Sequence, residues 1–182
     1  MVVGEEASKT TYFYKNFNLS QQLLEDNKVY EVKITQDHQW LIAGLEKGNI
    51  SVYQYDNNTL LFNRFQNLTC GSNHILTVDI SEDQSVIVGG STDKIACVFI
   101  WDGFQFNLYK TLSEATDHIY SVSMSTSSDF LLVCSKDDSA RLYNSSFDMI
   151  QEFMESDHEL FTCDMNDFMF ITGGRSKSLY IY

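Results

Sequence analysis

Three of the four histidines, His74, His118 and His158, stand 44 and 40 residues apart, each with carboxylates near it. Imidazole and carboxylate are ligands for zinc, so the set would make a metal site if the chain brought it together. The near-even spacing argues otherwise: residues recurring at the period of a repeat occupy equivalent, mutually distant places, one per unit. No metal ligand is expected. Asp79 and Asp164 are a second pair with chemical potential, since two carboxylates in unlike surroundings can act as acid and base. No Ser/His/Asp order or activated-cysteine signature accompanies them. Gly89-Gly90 and Gly173-Gly174 neither open a helix nor precede a lysine at phosphate-loop spacing. No catalytic residue and no cofactor are expected.

The elements that would position these residues repeat. Four segments align, starting at Val29, Ile75, Ile119 and Leu160, and their anchors Ile34, Ile80, Met124 and Met165 are 46, 44 and 41 residues apart. In each, a strand alternates apolar and polar positions (Tyr30, Val32, Ile34; Leu76, Val78, Ile80; Tyr120, Val122, Met124; Phe161, Cys163, Met165), which buries one face. A polar turn leads to a continuous apolar strand closing in small residues (WLIAG, VIVGG, FLLVCS, FMFITGG), the pattern of a strand covered on both faces. A second turn leads to a third strand ending in an aromatic, and a weaker fourth follows. Helical periodicity shows only over 19–25. The expectation is an all-β protein, a β-propeller of about four blades: residues 1–24 a partial blade, 25–70, 71–113 and 114–155 whole blades, and 156–182 an incomplete one. Opening and closing inside blades, it reads as a segment of a larger propeller, the alternative being a strand over 17–24 that clasps the terminal LYIY strand and closes four blades.

Charge and composition narrow the function classes. Asp and Glu number 25 against 12 Lys and Arg, a net charge of −13, and no stretch clusters the basic residues. Nucleic-acid binding, which needs a basic face, is not expected. Hydrophobic residues make up 43% and aromatics 14%, which places the chain among folding sequences. Its start, MVVGEEASKT, has no basic or apolar targeting region, and the longest strongly apolar run, Ile95 to Trp101, is too short to cross a bilayer. Cys70, Cys97, Cys134 and Cys163 form no CxxC and no paired spacing, so a reduced, soluble cytoplasmic chain is expected over a disulfide frame.

The segment with His118 before its first strand, SKDDSARLY after its second and Tyr143 closing its third resembles a degenerate WD repeat. The resemblance implies a hydrogen-bonded chain inside the blade through His118, Ser135, Asp137 and Tyr143, with tyrosine in the usual place of tryptophan. The preceding segment matches with His74, Ser91 and Asp93. Its Trp101, the one literal Trp-Asp dipeptide with Asp102, lies two residues late, so a bulge is expected in that strand. His158 marks the last segment, where Gly174 and Ser176 replace the serine and aspartate; Leu45 and Lys47 replace them in the first.

Such propellers present rigidly held loops, and the family's members assemble protein complexes. The expected role is a non-enzymatic scaffold in an intracellular multiprotein complex. The connection Asn63 to Asn73 is read as the longest loop of the rim that joins fourth to first strands, with Arg64 and Phe65 of the types enriched at binding hot spots. Glu114, Asp117, Glu155 and Asp157 add negative charge to that rim, which suits a basic partner segment. The alternative is a propeller that binds or converts a small molecule in its central funnel, where Lys33, Asp79 and Asp164 would lie.

Overall fold

Among the described residues the turn-bounded runs of the repeat are strands, and eighteen strands form five antiparallel meanders. The computed structural model describes residues 20–154 and 158–182, and strand backbone within 2–4, 10–15 and 18–19. The first sheet contains β1 (Val2–Gly4), β2 (Thr10–Lys15) and β3 (Asn18–Leu24). The second contains β4 (Val29–Ile34), β5 (Trp40–Leu45), β6 (Asn49–Asp56) and β7 (Leu61–Thr69), with a 3-10 turn at Glu46–Gly48. The third is β8 (Ile75–Ile80), β9 (Val86–Ser91), β10 (Ala96–Trp101) and β11 (Phe106–Leu112); the fourth is β12 (Ile119–Met124), β13 (Phe130–Ser135), β14 (Ala140–Asn144) and β15 (Met149–Phe153). The fifth has β16 (Leu160–Met165), β17 (Phe170–Gly174) and β18 (Leu179–Ile181). The helix-like periodicity over 19–25 belongs to β3 and is strand as far as Leu24.

Core apolar clusters span neighbouring sheets. One joins Val88 and Val98 of the third sheet to Ile119, Leu131 and Tyr143 of the fourth; another joins Ile42 and Ile50 of the second to Ile75 and Ile87 of the third. Strands β5 and β9 are buried along their whole length, as continuous apolar runs covered on both faces should be. The small residues closing β9 have a packing reason. A Cβ on Gly90 would stand 2.5 Å from Ile119 of the next sheet, so only glycine lets the sheets approach there.

Every such sheet has two edges whose outward N–H and C=O groups lie outside its ladder, and at the joints between described sheets side chains of the preceding sheet bond groups on both edges. At the inner edge, Val78 N–H donates to Glu31 Oε2 (2.7 Å), Val122 N–H to Thr77 Oγ1 (3.1 Å) and Cys163 N–H to Ser121 Oγ (3.1 Å), three equivalent bonds across three successive joints. Met124 N–H adds a fourth, to Asp79 Oδ2 (2.8 Å). At the outer edge, the Gln21 amide donates to Phe62 O and accepts from Phe62 N–H (2.7 and 2.8 Å), and Gln66 does the same to Phe106 (2.8 and 2.9 Å). Lys110 Nζ donates to Phe147 O at the next joint (2.8 Å). The residues involved recur as FNLSQ, FNRFQ, FNLYK and FDMIQ, beginning at positions 17, 62, 106 and 147. Phe62, Phe106 and Phe147 receive the clamp from the sheet before, and Gln21, Gln66 and Lys110, each four positions after a phenylalanine, make it to the sheet after.

Every innermost strand carries a bulge at the same place, where β4, β8, β12 and β16 each skip one residue against the neighbouring strand: Tyr30, Leu76, Tyr120 and Phe161. The outer pairs bulge too, with Phe65, Tyr109 and Ile150 as the extra residues. The irregularity expected near Trp101 is therefore located one strand away: β10 pairs continuously with β9, and the extra residue, Tyr109, sits in β11.

The four cysteines are not all reduced. Cys70, directly after β7, is joined to Cys97 of β10 by a disulfide across the joint between the second and third sheets; Cys134 and Cys163 are free and buried. The 27-residue separation carries no signal in the sequence, because the pairing depends on two sheets being stacked.

The inner clamp is open to a direct test. Thr77→Val keeps the shape of a buried side chain while orphaning Val122 N–H, and should cost about 1–3 kcal/mol in equilibrium urea unfolding. An unchanged midpoint would show that the bond contributes nothing.

Candidate interaction surface

At one rim the turns joining second to third strands meet the connections joining fourth to first strands. Carboxylates tie the two together. Asp93, in the turn after β9, accepts N–H bonds from Ser72 (2.6 Å) and Asn73 (2.9 Å) of the connection 70–74. Those amides hold its carboxyl below the usual range. Asp137, after β13, does the same for Thr116 N–H (2.7 Å) and also binds Ser139 Oγ (2.5 Å) and Arg141, whose Nη1 and Nη2 reach its two oxygens (3.3 and 2.9 Å). Burial by itself would raise Asp137; the guanidinium, hydroxyl and amide outweigh it and bring the group from an ordinary 3.8 down to about 2. Arg141 is buried in turn and reaches Glu152 (2.7 Å).

The chain implied through His118, Ser135, Asp137 and Tyr143 is linked differently from the expectation. Ser135 Oγ accepts the Asp137 N–H (3.1 Å) and donates to the carbonyls of Asp117 and His118 (3.2 and 3.1 Å). The His118 ring turns to the preceding sheet, with Nδ1 2.8 Å from Thr92 O, and the Tyr143 hydroxyl donates to Glu114 (3.1 Å). The reason is occupancy: Arg141, Ser139 and Thr116 already take both oxygens of Asp137, leaving nothing for an imidazole. Around Asp93 the serine position is filled alike, with Asp93 N–H donating to Ser91 Oγ (3.0 Å). The His74 ring lies against Tyr30 at 5.2 Å, its Nδ1 buried without a hydrogen-bond partner. Trp101 takes no part in such a chain. It packs at the far end of β10 with Trp40, Phe65 and Phe106, ring centroids 5.0–5.7 Å apart. His158 is exposed.

Two rim expectations are corrected. Arg64 and Phe65 belong to β7 and not to a loop, and the connection shortens to 70–74. The Arg64 guanidinium is taken by buried Glu25 (2.6 Å), Tyr53 Oη (2.9 Å) and Ser51 Oγ (3.1 Å), while Phe65 packs edge-on against Trp40 at 5.1 Å. Glu114 is engaged by Tyr143, and Asp117 stands 3.8 Å from Lys136 Nζ and caps His118 N–H (2.8 Å). Glu155 and Asp157 lie outside the described residues.

What sequence reasoning missed at this rim is its aromatic content and its cations. The bulges re-aim Tyr30, Leu76, Tyr120 and Phe161 at the inner end of the rim beside His74 and His118; Tyr120 meets Phe161 at 5.6 Å and His118 at 6.4 Å. Phe161 is 47% exposed. The rim's turns and connections also hold Lys28, Lys47, Lys94, Lys136, Arg175 and Lys177, half of the chain's 12 basic residues. The opposite rim, formed by turns 35–39, 57–60, 81–85, 102–105, 125–129, 145–148 and 166–169, has seven carboxylates and no Lys or Arg in those turns. The signal was present as a repeat register: the second position of each innermost strand, Tyr30, Leu76, Tyr120 or Phe161, is always large and apolar.

A cavity of about 240 Å³ opens among the inner strands, lined by Lys33, Asp79, Ser81, Glu82, Met124 and Ser125 among others. Lys33 Nζ is 3.8 Å from Asp79, and burial pushes the Asp79 carboxyl up. Asp79 accepts Met124 and Ile80 N–H, while Asp164 accepts Met165 N–H (3.0 Å) and the Ser123 hydroxyl (3.2 Å). Both carboxylates are engaged by the backbone of the inner edge. Among the described residues no group of three His, Cys, Asp or Glu side chains could hold a metal ion, and no helix is long and apolar enough to cross a membrane.

Residues 106–144 match the family model for the WD domain, G-beta repeat, a stretch that includes Glu114, His118, Ser135, Asp137, Arg141 and Tyr143. The fold is similar to the solved structure of U3-55K (TM-score 0.76, 14% identity, 87% of this chain and 49% of that one). It is also similar to the crystal structure of RRP9 WD40 repeats (TM-score 0.77, 13% identity, 100% of this chain and 53% of that one). The chain thus spans about half the length of these two structures. No curated protein matches the sequence.

The depressed Asp137 carboxyl makes stability depend on pH. The stabilisation is fully present above the unfolded value of 3.8 and is lost as pH falls through about 2. Its pH-dependent part is about 2 kcal/mol from that shift. The gap in unfolding free energy between the native chain and Asp137→Asn should therefore narrow as pH drops from 5 towards 2. A gap that stays constant over that range would refute the pairing.

Proposed function

We propose that this WD-repeat β-propeller segment is a non-enzymatic scaffold that holds a partner protein on the rim carrying Tyr30, Leu76, Tyr120 and Phe161, within a multiprotein complex. The observation that carries the reading is the recurrent inner bulge. Bulges concentrate where a strand must re-aim a side chain, and here four of them deliver large apolar side chains to one place. Aromatic anchors held by a stiff frame are what interface hot spots use, because little side-chain freedom remains to be lost on binding. Asp93 and Asp137 support the same reading by fixing the connections 70–74 and 113–118 that border the ring.

The partner surface that suits this rim is an apolar knob flanked by charges of both signs. Lys47, Lys94 and Lys177 are exposed at turn tips, while Glu114 and Asp117 offer carboxylates whose outer faces still meet water. A purely basic segment is a poorer fit here than the acidic residues alone suggested, since Lys136 already stands beside Asp117. Catalysis in the funnel is not part of the proposal, because Asp79 and Asp164 are committed to backbone N–H groups that would otherwise be orphaned.

The test is quantitative affinity capture with the native chain, with the double variant Tyr120→Ala/Phe161→Ala, and with Asp83→Lys/Asp129→Lys on the opposite rim. Loss of an anchor pair should reduce capture of specific partners at least tenfold, and the opposite-rim variant should leave it unchanged. Equal capture by the alanine variant, with its fold intact by circular dichroism, would sink the proposal.

A further inference from the structure

At three successive joints a residue ending the fourth strand reaches the third strand of the next sheet, and the link differs each time. Between the first and second sheets, buried Glu25 binds Ser51 Oγ (3.2 Å) and the Tyr53 hydroxyl. Between the third and fourth, Glu114 binds the Tyr143 hydroxyl. Between the second and third, Cys70 and Cys97 form a covalent bond, Cys97 lying one repeat after Ser51. The two sulfurs sit in an apolar cluster with Ile50, Leu68, Ile75 and Phe106.

We propose that the Cys70–Cys97 bond is a redox latch: a dithiol reductant opens it, and opening it loosens the connection 70–74 that borders the aromatic rim. One thiolate of the reductant attacks a sulfur of the bond to give a mixed disulfide. The second thiol displaces the protein sulfur, so Cys70 and Cys97 leave as two thiols and the reductant as a cyclic disulfide, two electrons and two protons having passed to the protein. Both states can fold. Free cysteines behave as small hydrophobes, so reduction strands no charge in the cluster, whereas deleting Glu25 would leave Arg64 without its carboxylate. Reduction instead removes the tie that holds the start of the connection. Its remaining anchors include Cys70 N–H on Gly48 O (2.7 Å), the Asp93 carboxylate on Ser72 and Asn73 N–H, and Thr92 N–H on His74 O (2.9 Å) at the far end of the connection. The two sulfurs are buried, at 0% and 2% exposure, so attack needs a local opening of the joint and the exchange is slow. A change in partner affinity would rest on the rim reading above; the latch itself does not.

The experiment compares the full chain oxidised and after dithiothreitol, by non-reducing peptide mapping with alkylation and by amide hydrogen exchange. The oxidised chain should yield a linked peptide pair containing Cys70 and Cys97, with Cys134 and Cys163 alkylated only after unfolding. Reduction should raise exchange at residues 70–74 about tenfold or more and leave β13 and β14 unchanged. Cys70→Ala/Cys97→Ala should exchange like the reduced chain whatever the reductant, and Cys134→Ala/Cys163→Ala should respond like the native chain. Absence of the linked pair, or equal exchange at 70–74 in both states, overturns the latch. An exchange response alongside unchanged capture by Tyr120→Ala/Phe161→Ala leaves the latch standing and removes the rim reading.

Discussion

An antiparallel sheet of three or four strands always has two edges, and backbone groups there must find partners or stay wet. In this chain the edges of one sheet are satisfied by side chains of the sheet before it. Inner strands are clamped by Glu31, Thr77 and Ser121, outer ones by Gln21, Gln66 and Lys110. Each clamp turns a liability for edge-to-edge association into a directional bond between neighbours. Stacking by apolar contact alone would tolerate sliding. A glutamine amide bonded to both N–H and C=O of one phenylalanine does not, because a slip by one residue would present an N–H and C=O that point the other way, into the strand's own ladder.

The same constraint explains why polar residues on the innermost strands look like a site when read one at a time. Asp79 and Asp164 are carboxylates on the innermost strands, and each accepts backbone N–H bonds there. Polar residues stand where the ladder ends, and large apolar residues stand where it is interrupted. The bulges at Tyr30, Leu76, Tyr120 and Phe161 free one residue per sheet from pairing and let its side chain leave the layer.

At the joints the fold is less particular about means than about position. A carboxylate with two hydroxyls, a disulfide, and a carboxylate with a phenol occupy corresponding places. Arg141, from the strand after the turn, neutralises Asp137, and His118 bridges to Thr92 of the preceding sheet. Asp137 at the same time holds the connection at Thr116.

The strand grammar, the period and the turn positions were legible in the sequence, because alternation and continuous apolar runs are local consequences of which faces are covered. The recurrent phenylalanine followed four residues later by glutamine or lysine was equally present, but its meaning lies between sheets and no single unit displays it. Arg64 was misplaced for a related reason: NRFQNLT reads as polar loop, and it is strand because it pairs along β6, where Tyr53, with Glu25 of the sheet before, receives the guanidinium. The disulfide between Cys70 and Cys97 was out of reach, since bonding depends on two Cα atoms standing 5.7 Å apart across a joint that the chain forms only when two sheets stack. Sequence by itself determined the strand grammar, its period and the fully covered second strands, while the bulges that turn Tyr30, Leu76, Tyr120 and Phe161 off the expected face show only in the paired sheets. Tertiary structure alone decided which side chains meet, because partners 20 to 47 residues apart are chosen by the stacking of sheets and not by the chain between them.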